Sequence, residues 1–274
     1  MKGGVSLSEE QYQAIARYLE RCAGIRLGAG KEYLVVSRLR GVLQRHGLAG
    51  FDALVQALQA GGDRAIQTAV VDAMTTNETF WFRDAAHYRI LVEQLLPACI
   101  GRTARIWSAA ASTGQEPYSI TFAIQEAVLS GRLPRGFDYQ ILGTDISPSA
   151  LAQAEAARYC GLAGVRGLTL EQRQRFFVDD GDCIEVQAAY RRQVRFRPFN
   201  LLDSFDQLGR FDVIFCRNVL IYFSQERKRD ILERFHRTLN PGGALFLGST
   251  ESMSEHADLF EMERHGTGLV YRRC

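Results

Sequence analysis

The chain has 274 residues, 46% of them hydrophobic, which is enough for one large or two modest domains with real cores. A formal net charge of +2 argues against coating of bulk nucleic acid, and no apolar run approaches the ~18 residues of a membrane span, so neither nucleic acid nor membrane insertion is expected. Six scattered cysteines (Cys22, Cys99, Cys160, Cys183, Cys216, Cys274), without CxxC or clustered histidines, predict reduced thiols, no disulfide framework and no metal.

The opening Met-Lys-Gly-Gly-Val turns polar at once, which predicts no signal peptide and a cytoplasmic location. Ser8-Glu9-Glu10-Gln11 reads as a capping box, and Tyr12, Ile15, Leu19 and Cys22 follow at helical spacing until Gly24. A second helix is predicted over 31–45 with Gly47 as its stop, and further helices over 52–60 and 64–75. The first ~75 residues thus read as a small helical domain. Asn77-Glu78-Thr79-Phe80-Trp81-Phe82-Arg83 follows, three aromatics among polar groups, read as packing in a crevice where two domains meet.

After a helix near 85–99 the pattern alternates. Strands are predicted over 104–109, 139–145, 194–199, 211–216 and 244–248, with helices over 115–129, from Ser147-Pro148, and over 224–239. Alternation of this kind implies a parallel, doubly wound sheet. Residues 260–271 read as a closing antiparallel hairpin, unusual for dehydrogenases. Residues 160–193 break the alternation and read as an inserted subdomain, with a helix over 171–177, a turn at Asp179-Asp180-Gly181-Asp182 and a small strand over 183–186.

Ligands of doubly wound sheets lie beyond the carboxyl ends of the strands. The first strand runs into Ser108-Ala109-Ala110-Ala111-Ser112-Thr113-Gly114, small residues that admit a ligand close to the backbone, without the GxGxxG of a dinucleotide clamp. Glu116 opens the next helix, suited either to the helix dipole or to a ligand ammonium. Asp145 ends the second strand, where a carboxylate commonly accepts ribose hydroxyls. Asn200-Leu201 at the third strand end offers an amide to an adenine edge, and Arg217-Asn218 end the fourth, with Tyr222-Phe223 beyond. A small loop, a ribose acid and polar strand ends together point to an S-adenosylmethionine fold.

The words TTNETFWFRD (75–84), RIWSAAASTGQEPYSI (105–120), TDIS (144–147), NLLD (200–203), FDVIFCRNVLIYF (211–223) and LNPGGALFLGSTES (239–252) resemble the CheR family of chemoreceptor glutamate methyltransferases in order along nearly the whole chain. The resemblance implies an α/β class I S-adenosylmethionine-dependent methyltransferase fold. Its doubly wound, mostly parallel sheet carries a C-terminal antiparallel hairpin and a small inserted β-subdomain at about 160–193. It also implies a division into a helical receptor-docking domain (1–75), a linker contributing to the cofactor pocket (76–90) and a methyltransferase domain (91–274). The implied reaction is methylation of receptor glutamates by S-adenosyl-L-methionine, leaving S-adenosyl-L-homocysteine. Carried over by position, the cofactor contacts are Asn77, Thr79, Arg83, Glu116, Asp145, Asn200, Leu201, Arg217 and Asn218, with Arg83 and Tyr222 nearest the transferring methyl.

A glutamate carboxylate is ionised at neutral pH, so methyl transfer to it needs orientation rather than a general base, a nucleophilic residue or a metal. Arg83 is expected to orient either the substrate carboxylate or the cofactor's methionyl carboxylate, and Tyr222 to place its hydroxyl beside the methyl or carboxylate. Lys31, Arg38 and Arg45 recur every seven residues beside an apolar face, and with an acidic helical partner implied by the family they read as a docking stripe for the cytoplasmic helical region of chemoreceptors. In some relatives the β-subdomain grips a receptor C-terminal pentapeptide. The turn at 179–182 is shorter here, and the strand near Ile184 is short and carries Glu185, so weak or no pentapeptide binding is expected. A cofactor-binding adaptor with little turnover and a methyltransferase for another acidic substrate are the competing readings.

Overall fold

A computed structural model describes residues 6–59, 62–253 and 258–274, which divide into two compact units. The first comprises residues up to Thr76 together with Tyr222–Arg227. Its helices are α1 (Glu9–Ala23), α2 (Glu32–Arg45), α3 (Phe51–Ala57) and α4 (Arg64–Met74). Ser8 caps α1 reciprocally: Gln11 N donates to Ser8 Oγ while Ser8 N donates to Gln11 Oε1 at 2.8 Å. Gly24 ends α1 at φ 70°, and a Cβ there would stand 2.2 Å from the ring of Phe223, so glycine is required twice over. The faces of α1 and α2 bury Tyr12, Ile15, Leu19, Val35, Leu39 and Val42.

The second unit, Asn77–Ile221 and Lys228–Cys274, starts with α5 (Ala86–Ile90). The predicted helix over 85–99 does not continue regularly, because it passes into a π turn (Leu91–Leu95) and a 3₁₀ turn (Leu96–Cys99) containing Pro97. Then come β1 (Ala104–Ala109), α6 (Gln115–Leu129), β2 (Tyr139–Asp145), α7 (Pro148–Ala156), β3 (Arg158–Cys160), α8 (Gly161–Val165), α9 (Leu170–Phe176), β4 (Phe177–Asp180), β5 (Cys183–Val186) and α10 (Ala188–Arg191). The chain closes with β6 (Val194–Pro198), β7 (Phe211–Phe215), α11 (Gln225–Thr238), β8 (Leu239–Phe246), β9 (Phe260–His265) and β10 (Gly268–Arg273).

Seven strands form one sheet in the order β6-β2-β1-β7-β8-β10-β9, parallel from β6 to β8 and antiparallel at β8/β10 and β10/β9. The fold is that of a class I methyltransferase. The strand order reverses direction at β1, so the topological switch point lies beyond Ala109. Trp107 of β1 is fully buried among Phe199, Phe205, Phe211 and Phe235 on one face of the sheet. Strand β8 starts five residues before the predicted Ala244: Phe211 pairs with Leu239 and Val213 with Ala244, so Asn240-Pro241-Gly242-Gly243 bulges out opposite Asp212 alone. Asn240 Nδ2 donates to Asp212 Oδ1 at 2.8 Å and holds the bulge.

The inserted segment is a three-stranded antiparallel sheet in the order β3-β5-β4. The strand carrying Ile184 and Glu185 is therefore central and paired on both sides, which leaves it no free edge for a peptide. Cys160 and Cys183 stand directly opposite on β3 and β5 and form a disulfide, against the expectation of reduced thiols throughout. Their 23-residue separation gave no sign of this register. Trp81 is fully buried within this unit, against Phe122 of α6, Tyr159 of β3 and Phe177 of β4 at 4.9–5.8 Å between ring centroids. Trp81 thus plugs the insert onto the main sheet's helix. Among the described residues no helix is long and apolar enough to cross a membrane.

Candidate active site

The backbone beyond β1 is held in conformations that L-residues avoid. Among the described residues six non-glycine residues have positive φ, and five of these, Phe82, Asp84, Ala110, Ser112 and Asn218 (52–66°), lie in the 77–84 segment, the loop after β1 or the end of β7. The sixth, Ala157, ends α7. Each such residue costs about 1–2 kcal/mol, and the clustering marks one place where the chain is bent to purpose.

At the end of β2, Asp145 is buried and its carboxylate ties two elements: Ser112 N donates to Oδ2 at 2.7 Å and Ser147 N to Oδ1 at 2.9 Å. Ser112 Oγ donates to the carbonyl of Asn77 at 2.8 Å, and Asn77 Nδ2 to Ser147 Oγ at 3.2 Å. The 77–84 segment, the β1 loop and the start of α7 are thereby stitched around one carboxylate. Asn200 folds back on its own turn, accepting from Leu202 N at 3.0 Å, and Leu201 is buried beside it in sequence. Thr79 is half-buried.

Arg217, at the end of β7, is buried and spends its guanidinium inward. Nη1 donates to Glu116 Oε2 at 3.0 Å, and Nη2 donates to both Asp84 Oδ2 and the carbonyl of Arg83 at 2.6 Å. Glu116 also accepts from Ser108 Oγ at 2.7 Å. Burial pushes the Glu116 carboxyl up, and Arg217 and Ser108 pull it back. Burial works against the Arg217 charge as well, but Tyr88, Glu116 and Asp84 outweigh it and hold the guanidinium protonated. Asp84 titrates below the usual carboxylate range: burial opposes this, and the hydrogen bond from Arg217 prevails. Glu116 is therefore engaged with Arg217 rather than free at the helix end. Arg83 differs: it is half-buried, with its guanidinium 5.6 Å over the Phe80 ring, and forms no ion pair among the described residues.

Tyr222 lies in a 3₁₀ turn (Leu220–Tyr222) and belongs to the first unit, where its carbonyl accepts from Arg26 N at 3.2 Å. Of the basic stripe, Lys31 precedes α2 and is exposed, as is Arg45. Arg38 is half-buried and closes the end of α4, donating to the carbonyls of Met74 and Thr75 at 2.8 Å and to Thr76 Oγ1 at 3.1 Å. Sequence reasoning passed over Asp84, Ser112, Tyr88 and Glu251. The signals present were an acid next to Arg83, a serine within the small loop, and an acid inside the word GSTES.

Among the described residues the buried side-chain polar atoms without a hydrogen bond are His87 Nδ1, Arg217 Nε and Asn218 Oδ1. Buried polar atoms are seldom left so, and two of the three belong to the end of β7. A nucleoside with a charged amino-acid tail fits this set: a buried acid for a diol, small residues at the switch point, and an open amide oxygen with an arginine beside it. The sulfonium of such a cofactor, when bound, supplies the methyl group.

Family comparison agrees with the geometry. Residues 77–268 match the CheR methyltransferase SAM binding domain, and residues 10–75 match the CheR methyltransferase all-alpha domain. A chemotaxis protein methyltransferase of Vibrio parahaemolyticus is 46% identical over 273 residues, 98% of each chain. Chemotaxis protein methyltransferase 1 of Pseudomonas aeruginosa is 46% identical over 277 residues, covering 98% of this chain and 99% of that one. The chemotaxis protein methyltransferase of Salmonella typhimurium is 35% identical, covering 91% and 86%. The chain belongs to the CheR methyltransferase family, and its cofactor is S-adenosyl-L-methionine.

Proposed function

We propose that the protein transfers the methyl group of S-adenosyl-L-methionine to glutamate side-chain carboxylates of chemoreceptors in the cytoplasm, giving glutamate methyl esters and S-adenosyl-L-homocysteine. The relatives named as chemotaxis protein methyltransferases, matched over almost their full length, supply the biological setting. The observation that carries the chemistry is the contrast between the two arginines. Arg217 is ion-paired to both Glu116 and Asp84, whereas Arg83 has no ion pair among the described residues and lies over the ring of Phe80. An unpaired arginine suits a carboxylate, and a carboxylate nucleophile needs aim rather than deprotonation.

In this reading Asp145 holds the ribose, Asn77, Thr79, Glu116, Asn200, Leu201, Arg217 and Asn218 shape the rest of the cofactor site, and Arg83 and Tyr222 orient the reacting carboxylate and methyl. The helical residues 1–75 dock the receptor through Lys31 and Arg45, with Arg38 of the same stripe anchoring α4; residues 76–90 link to the methyltransferase domain, 91–274. Labelled methyl transfer to membranes holding candidate receptors tests the proposal. Base-labile release of the label as methanol marks an ester, and its absence with a competent receptor overturns the reading. Arg83→Ala and Tyr222→Phe should each lower turnover more than they weaken cofactor binding. Full transfer by either variant removes that residue from the reacting end.

A further inference from the structure

Glu251 sits in the loop after β8 and is part of neither the strand-end residues nor the family-derived set. Its carboxylate accepts three backbone N–H groups: Asn218 at 2.6 Å and Gly248 at 2.8 Å on Oε2, and Val219 at 3.1 Å on Oε1. The turn that contains it closes without these bonds, because Glu251 N already donates to the Gly248 carbonyl at 2.9 Å. The bonds to Asn218 and Val219 reach back 33 and 32 residues, to the end of β7. They serve that strand end.

Asn218 is held where a side chain costs energy. Its φ of 58° is left-handed, which asparagine tolerates better than most residues. Its side chain crosses Gly248 so closely that a Cβ there would stand 2.6 Å from Asn218 Nδ2. Its Oδ1 is buried and accepts nothing. The backbone is thus fixed by Glu251, the amide has room only because residue 248 is glycine, and one acceptor is left open. An acceptor set before its ligand arrives spares the cost of ordering it on binding.

We propose that Glu251 is a positioning residue of the cofactor site: by gathering the N–H groups of Asn218, Val219 and Gly248, it keeps Asn218 left-handed and presets its amide oxygen for a donor of the bound cofactor. This rests on the reading of Asn218 as a cofactor contact. The test is calorimetric titration of the full-length protein with S-adenosyl-L-homocysteine, for wild type, Asn218→Ala, Glu251→Ala, Glu251→Gln and the Asn218→Ala/Glu251→Ala double variant. Asn218→Ala and Glu251→Ala should each weaken binding roughly five- to tenfold. The double variant should be no weaker than the worse single one, because both remove the same preset acceptor. Glu251→Gln, which keeps a neutral acceptor, should recover part of the loss, and it takes the place of Glu251→Ala if that variant does not fold. In turnover the loss should fall mainly on KM for S-adenosyl-L-methionine rather than on kcat. Weakened binding by Asn218→Ala with unchanged binding by the Glu251 variants overturns the positioning role and leaves the site reading intact, as do effects that multiply in the double variant. Unchanged binding by Asn218→Ala removes that residue from the site, and the inference with it.

Discussion

His87 shows at residue scale how the arginine of the site constrains its neighbours. It is buried against Phe246, and burial, reinforced by the Arg217 charge and opposed by Asp84, lowers its pKa to about 4. Below its unfolded pKa of about 6.5 the unfolded chain takes up a proton that the folded chain refuses. Its contribution is therefore intact above about pH 6.5 and is lost as pH falls towards 4, by an amount on the order of 3 kcal/mol. Urea midpoints across this range should fall less steeply for His87→Leu than for wild type, and equal slopes would refute the assignment. Asp145 makes the complementary case for binding. Its Ala variant loses charge-assisted bonds worth about 1.5–3 kcal/mol each, so cofactor affinity should drop tenfold or more in calorimetry. Unchanged affinity in a folded variant would take Asp145 out of the site. Strand-end reasoning put Asp145 at the end of β2, where it lies, because a strand's last residue is visible in the pattern. It could not find the Arg217 pairs with Asp84 and Glu116, which span 133 and 101 positions, and chain spacing carries no information on such pairings.

Among the elements, those with a local period were the most legible. The Ser8 box, β1, α6, β2 and the Ser147 cap coincide with their sequence signals, because capping and alternation are decided within a few residues. The β8 bulge was not legible: Pro-Gly-Gly normally reads as a turn, and only Asp212 on the neighbouring strand draws the chain back into register. The insert has the same lesson, since the pairing of its central strand with neighbours on both sides is not visible in that strand's own residues. Both edges of the insert are short: β3 has three residues, and β4 has four, ending in Asp179 and Asp180, which pair with Arg173 and Arg158. Edges so short, one of them acidic, offer little to an acidic peptide. A receptor C-terminal pentapeptide should therefore bind weakly, and removing such a tail from the cognate receptor should leave its methylation nearly unchanged. A calorimetric Kd in the low micromolar range would contradict this.

At the scale of the whole molecule, the proposed docking role of the helical unit gives a clean experiment. Reversing Lys31 and Arg45 to glutamate should weaken receptor methylation and flatten its salt dependence, since exposed charges are screened beyond about 10 Å at 0.1 M salt. Cofactor affinity should not change. Methylation equal to wild type at low salt would reduce the two residues to a solvated helix face. The five left-handed residues around the switch point have a different consequence, one for directed evolution. Glycine at Ala110 or Ser112 relieves backbone that its present side chain resists, so selection for heat resistance alone should gather glycines there. Those same changes loosen the loop that meets Asp145. Survivors of such a screen should melt higher and bind cofactor more weakly, so thermal tolerance and catalytic fitness would have to be selected together in this scaffold.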